Sequence, residues 1–151
     1  MKPNRFMLAL AALCFASGGA SAQQTDGKSV APKTYKAYMV SDAHLDTQWN
    51  WDVQTTIREY IPRTLFQNLY LMERFPDYRF SFEGGVVYSW MKEYYPMHYE
   101  RMKTYIASGQ WHIAGASWDA NDPNMPSAES FFRNILLGQE FYKKEFGVRS
   151  T

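Results

Sequence analysis

The sequence predicts an α/β fold, built of parallel βα units that form the first part of a barrel and leave it incomplete. Three observations predict it. Short runs of strand character alternate with long helical stripes in the order β-α-β-α-β-α. Strands that alternate with helices pair in parallel through right-handed crossovers. Three such units fall short of the roughly 250 residues that a closed eightfold barrel takes, so the chain is expected to be the N-terminal part of a longer protein.

Each element has its own signal. Residues 1–22 read as a secretory signal peptide. Lys2 and Arg5 form its basic start, Phe6–Phe15 its apolar run, and Ala20-Ser21-Ala22 a small-x-small cleavage site. The apolar run is shorter than the about 20 residues a membrane span needs. The mature chain is therefore expected to be exported, periplasmic or secreted, with no membrane span. Residues 23–34 are polar and aperiodic and predict a disordered lead-in. Residues 35–151 then form the α/β region.

Tyr35–Ser41 predicts a buried strand, and Asp42–Asp52 a loop. Ile57, Ile61, Leu65, Leu69 and Met72 recur at helical spacing. Pro62 interrupts that stripe, so the helix kinks there or restarts with Pro62 in its first turn. Pro76-Asp77 closes the unit. Tyr78–Phe82 predicts a second strand, Glu83-Gly84-Gly85 a turn, and Val86–Ser108 a helical stretch broken at Pro96. Gly109 fits the left-handed position after a helix end. Trp111–Trp118 predicts a third strand and Asp119–Pro126 a polar loop. Ser127 is a plausible N-cap with Glu129 in the first turn. Phe132, Ile135, Tyr142 and Phe146 supply the stripe of the last helix, which Gly147 ends.

Charge and composition exclude several functions. The chain has 16 Lys and Arg against 15 Asp and Glu. Lys2 and Arg5 leave with the signal peptide, so the mature charge is about −1. A nucleic-acid binder would show a basic face, and a membrane-surface helix clustered cations. The single Cys, Cys14, lies in the signal peptide, which excludes a disulfide framework or a Cys-based zinc site in these mature residues. Aromatics are abundant, with 5 Trp, 11 Tyr and 10 Phe. They suit either a ring-filled core or a sugar site, and composition alone does not separate the two.

Ligands of parallel α/β folds bind beyond the carboxyl ends of the strands. Two loops there carry acids: Asp42, His44, Asp46 and Asp52 in the first, Asp119 and Asp122 in the second. In extended backbone His44 and Asp46 point the same way. An imidazole nitrogen and a carboxylate oxygen then converge, a donor pair suited to a divalent transition ion, with zinc the first choice. Asp122 is the best local third ligand. The alternative is a capping Asp beside a hydrogen-bonded His. Glu83 lies on the same rim, to contact substrate, orient a neighbour or make a structural hydrogen bond. His98, among tyrosines on a helix, and His112, early in the third strand, read as surface or packing residues.

Around these residues the sequence resembles a known family. Ala43-His44-Leu45-Asp46-Thr47-Gln48-Trp49 is similar to the signature loop of the family 38 glycoside hydrolases, the retaining α-mannosidases: His-x-Asp with Trp three residues on. Gly115-Ala116-Ser117-Trp118, Asn121-Asp122, Asn124-Met125-Pro126-Ser127 and Glu129 resemble their nucleophile loop. The likeness runs from Tyr35 to Gly147. It implies a seven-stranded α/β barrel followed by helical and β-rich domains. It implies that His44 and Asp46 are zinc ligands, that Asp122 is both zinc ligand and nucleophile, and that Trp49 forms part of a sugar-stacking wall. A fourth zinc ligand and the general acid/base would lie beyond Thr151. Asp42 and Ala120 depart from the common pattern of His and Glu at those positions, and neither is a carried-over ligand.

The implied activity is zinc-assisted cleavage of terminal α-linked mannose from glycans, and these residues alone are expected to be inactive. The substrate would be a mannose-containing glycan. Two alternatives stand beside it. A polysaccharide deacetylase-like enzyme would need two His at helical spacing, and no His-x-x-x-His occurs. A non-catalytic sugar-binding or truncated product is compatible with the aromatic content.

Overall fold

The computed structural model describes residues 34–149. The signal peptide predicted over 1–22 lies outside these residues, and so does the lead-in predicted over 23–34 except for Thr34. Three short strands position everything else: β1 (Ser41–Ala43), β2 (Phe80–Phe82) and β3 (Trp111–Ile113). They pair in parallel in the order β1-β2-β3. Ser41 stands opposite Phe80, which stands opposite Trp111; Ala43, Phe82 and Ile113 align in the same way. With no stagger, the chain leaves all three strands along one edge, at His44, Glu83 and Ala114. This is the partial α/β barrel arrangement that the alternation predicts.

The first crossover is α1 (Val53–Thr55), a π-helical turn (Thr56–Tyr60) and α2 (Ile61–Arg74). Asp52 caps its start by accepting the Thr55 backbone N–H at 2.8 Å. That bond and the Thr55 hydroxyl hold the Asp52 carboxyl below its ordinary pKa. Pro62 falls in the first turn of α2, where its missing N–H costs nothing. The wide turn before it accommodates the ring that an unbroken α-helix would press onto the Arg58 carbonyl. Helical backbone runs on without a gap from Val53 to Arg74, so Pro62 stands in the first turn of α2 with the wide turn, rather than a fresh start, taking up its ring. Ile57, Ile61, Leu65, Leu69 and Met72 are all buried, as their spacing predicts.

The second crossover is α3 (Gly85–Tyr94) and α4 (Pro96–Ala107), broken at Tyr95 ahead of Pro96. Gly109, at φ 76°, turns the chain back into β3. After β3 comes α5 (Ala128–Phe146), capped by Ser127 accepting the Ser130 N–H and ended by left-handed Gly147. No helix among the described residues is long and apolar enough to cross a membrane.

One core fills the space between sheet and helices. Phe80, Phe82 and Trp111 point from the strands into it, and Tyr88, Tyr99 and Tyr142 meet them from α3, α4 and α5. The Trp111 indole N–H donates to the Tyr88 hydroxyl at 2.8 Å, which donates to the Phe82 carbonyl at 3.0 Å. Burial pushes the Tyr88 phenol well above its ordinary pKa, against a smaller lowering by the Trp111 donor. For these six residues the aromatic surplus is core. Lys92 and Tyr99 both donate to the Glu145 carboxylate, at 2.7 and 3.2 Å, fastening α5 to α3 and α4.

Four expectations need correction. The first strand is Ser41–Ala43, not Tyr35–Ser41, and Asp42 sits within it. Tyr38, Met39 and Val40 are exposed, because no described helix covers them and β1 is an edge strand. The second strand starts at Phe80 rather than Tyr78, whose hydroxyl is drawn to Asn68 of α2 at 2.7 Å. The third ends at Ile113, because Gly115 at φ 66° takes the chain out of extended backbone. Phe132, expected in the stripe of α5, is 70% exposed, while Gly138 and Tyr142 are buried.

The face of α5 is set by close approach at Gly138. A Cβ there would lie 2.3 Å from both the Ala116 oxygen and the Ser117 carbonyl carbon. Gly138→Ala is therefore expected to force the helix off the loop and to cost about 1–3 kcal/mol, as overpacking does. Chemical denaturation of the full-length protein checks it; unchanged stability would mean the contact is loose.

Candidate active site

The common edge of the three strands gathers the acidic loops. His44, Glu83 and Ala114, the first residues after β1, β2 and β3, line one cavity of about 350 Å³ together with Asp42 and Ser81. His44 Nε2 lies 3.2 Å from Asp46 Oδ1. Two ligands of one tetrahedral zinc ion, with bonds of about 2.0–2.1 Å, stand about 3.3 Å apart. The convergence expected from the i, i+2 spacing is present as a direct His44–Asp46 hydrogen bond, the alternative reading of this pair, and the same N and O donors are of the type that zinc takes.

The other ring nitrogen of His44, Nδ1, is 3.7 Å from Glu83 Oε1. Metal-binding histidines commonly face a carboxylate on that side, which orients the ring. Gly115 makes room for it: a Cβ there would lie 3.0 Å from Glu83 Oε2. Of the readings open for Glu83, this geometry favours the orientation of a neighbour.

The second loop is clamped between helices. The Ser117 carbonyl accepts from the Gly85 N–H at 3.1 Å, and the Trp118 carbonyl from Val86 at 2.8 Å, both at the start of α3. On the other side the Trp118 N–H donates to the Asn134 carbonyl of α5 at 2.9 Å. Beyond this clamp Asp122 is exposed and accepts the Asn124 N–H at 2.8 Å. It lines a separate cavity of about 490 Å³ with Asp119, Asn121 and Phe131. The structure thus brings His44 and Asp46 together and leaves Asp122 apart from them. Among the described residues no three His, Cys, Asp or Glu side chains assemble as a metal site.

Trp49 is 70% exposed on the first loop. Two residues on, Trp51 is half-buried: its indole N–H reaches Thr56 Oγ1 at 2.7 Å and its ring meets Tyr60 at 4.7 Å. One tryptophan anchors the loop and the other is free to meet a ligand. His98 packs on the Phe66 ring at 4.2 Å, and His112 is exposed within β3, so neither joins the edge.

Thr47 and Asn134 are residues that the sequence reading did not single out. Thr47 Oγ1 donates to Asp119 Oδ2 at 3.0 Å, linking the two loops directly. Asn134 brackets the Asp119 backbone, accepting its N–H at 2.9 Å and donating to its carbonyl at 2.8 Å. Asn134 has a sequence signal, since it lies four residues before buried Gly138 and eight before buried Tyr142 on one helix face. Thr47 has none.

Known proteins are similar to this chain. Alpha-mannosidase G of Dictyostelium discoideum is 36% identical over 116 residues, covering 77% of this chain and 11% of that protein. Human alpha-mannosidase 2C1 is 32% identical over 148 residues, covering 97% and 13%. The crystal structure of an alpha-mannosidase from Enterococcus faecalis V583 superposes with a TM-score of 0.63 at 25% identity, over 74% of this chain and 12% of that one. The chain thus spans 11% and 13% of the length of these two curated relatives. Since the glycosyl hydrolases family 38 N-terminal domain matches residues 34–151, well over half of the chain, the chain belongs to that family.

Proposed function

We propose that this chain supplies the N-terminal part of the active site of a retaining α-mannosidase that removes terminal α-linked mannose from glycans. The observation that carries this is the His44–Asp46 donor pair at the strand-end edge of a family 38 N-terminal domain. The signal-like pattern of residues 1–22 adds export to the proposal, to the periplasm or the medium.

His44 and Asp46 would hold zinc, Asp122 would join them only where its loop brings it in from the separate cavity it lines here, and a fourth donor would come from outside this chain. Zinc held there would supply a Lewis acid that orients the sugar and favours its flattened, oxocarbenium-like form. Glu83 keeps the His44 ring turned so that Nε2 faces the donor side. The exposed Trp49 indole packs against the apolar face of the pyranose and excludes water from it.

Asp122 attacks the anomeric carbon through a carboxylate oxygen. The C–O bond to the leaving group breaks, and its electron pair goes to the glycosidic oxygen. A second carboxyl group, about 5–5.5 Å away in retaining enzymes and provided from outside this chain, protonates that oxygen. The resulting glycosyl ester on Asp122 is then hydrolysed by water, which the second group deprotonates, and Asp122 leaves as carboxylate. Net retention follows from two inversions.

The full-length protein is expected to release mannose from an aryl α-mannoside, to lose that activity in chelator and to regain it with zinc. Asp122→Ala is expected to lower kcat by about a thousandfold or more. His44→Ala and Asp46→Ala are expected to purify with less zinc by elemental analysis. Full turnover by a metal-free Asp122→Ala protein would overturn the assignment. Trp49→Ala is expected to raise KM about tenfold with kcat and melting temperature little changed, the pattern of a lost uniform binding contact. An unchanged KM would remove Trp49 from the sugar site.

A further inference from the structure

The loop that carries His44 and Asp46 and the loop that carries Asp122 are joined side chain to side chain by the hydrogen bond from Thr47 Oγ1 to Asp119 Oδ2, at 3.0 Å. Both ends of that bond are anchored. On the first loop, the Thr47 carbonyl accepts the Thr56 hydroxyl at 2.9 Å. Thr56 is fully buried and also accepts the Trp51 indole N–H at 2.7 Å. On the second loop, Asn134 of α5 holds both backbone groups of Asp119, at 2.9 and 2.8 Å. It also donates to Asn121 Oδ1 at 2.6 Å. A line of hydrogen bonds therefore runs from Trp51, through both loops, to α5.

We propose that Thr47, Asp119 and Asn134 are positioning residues, a strut that sets where Asp122 stands relative to His44 and Asp46. The proposal rests on the α-mannosidase reading above. Its ends lie where leverage is greatest: Thr47 directly follows Asp46, Asp119 lies three residues before Asp122, and Asn121 immediately precedes it. A carboxylate suits position 119, because its two oxygens accept from two directions. Oδ2 takes the Thr47 hydroxyl and Oδ1 the Ala120 N–H at 2.8 Å. An asparagine there offers only one acceptor oxygen. A misplacement of about 1 Å between reacting groups costs about a hundredfold in rate, so a strut that limits such drift acts on kcat.

The test uses the full-length enzyme with Thr47→Val, Thr47→Ser, Asp119→Asn and the Val–Asn double variant. Thr47→Val is expected to lower kcat on an aryl α-mannoside about tenfold, with KM, zinc content and melting temperature close to wild type. Thr47→Ser keeps the hydroxyl and is expected to restore kcat. The double variant is expected to be no slower than Thr47→Val alone, because with the hydroxyl gone residue 119 has no bond across the loops left to lose. Wild-type kcat in Thr47→Val, or rate losses that multiply in the double variant, would overturn the strut. Amide hydrogen exchange separates this failure from failure of the α-mannosidase reading. Thr47→Val is expected to speed exchange across residues 119–124 relative to Thr47→Ser, whatever the substrate proves to be. Unchanged exchange overturns the strut; a zinc-loaded wild type that releases no mannose overturns the functional reading.

Discussion

The buried contact of Trp111, Tyr88 and Phe82 fixes the frame from which everything else is hung. An indole N–H, a phenol hydroxyl and a strand carbonyl satisfy one another in sequence, at 2.8 and 3.0 Å. Any one of these polar groups left unpaired there would cost about 1–3 kcal/mol. The network ties β3 to α3 and to β2 at one register, which the flanking rings of Phe80 and Tyr142 pack around. A slip of one residue would turn Phe80 and Phe82 out of the core and strand the indole. Because the register holds, His44, Glu83 and Ala114 emerge side by side.

Much of this was legible from residue order. The stripe from Ile57 to Met72, the place of Pro62 in the first turn of α2, the break at Pro96, the cap at Ser127 and the left-handed Gly109 and Gly147 all follow from rules spanning a few residues. The His44–Asp46 convergence was legible for the same reason, since both side chains belong to one short segment. Strand length was not. Apolar composition marks Tyr38–Val40 as strand-like, but pairing depends on a partner and cover that the segment itself does not encode. The face of α5 was missed because Gly138, with no side chain, carries no hydrophobic signal, although its close approach decides the packing.

The loop contacts were the least legible. Thr47 and Asp119 are 72 residues apart, and their hydrogen bond exists only because two parallel strands deliver both loops to one edge. The first loop holds its donors by their own spacing and by Glu83, whereas the second is held by helices on either side. The two loops are therefore held in different ways. The first keeps His44 against Asp46, and the second carries Asp122 beyond a clamp built of backbone hydrogen bonds.

The exposed apolar residues have a practical consequence. Tyr38, Met39 and Val40 lead into an edge strand, and Phe132, Leu136 and Leu137 stand out from α5. Edge backbone beside exposed apolar side chains is a template for self-association. Residues 34–149 handled by themselves in solution would carry both surfaces bare. Self-association through those surfaces would then limit the concentration at which they stay dispersed.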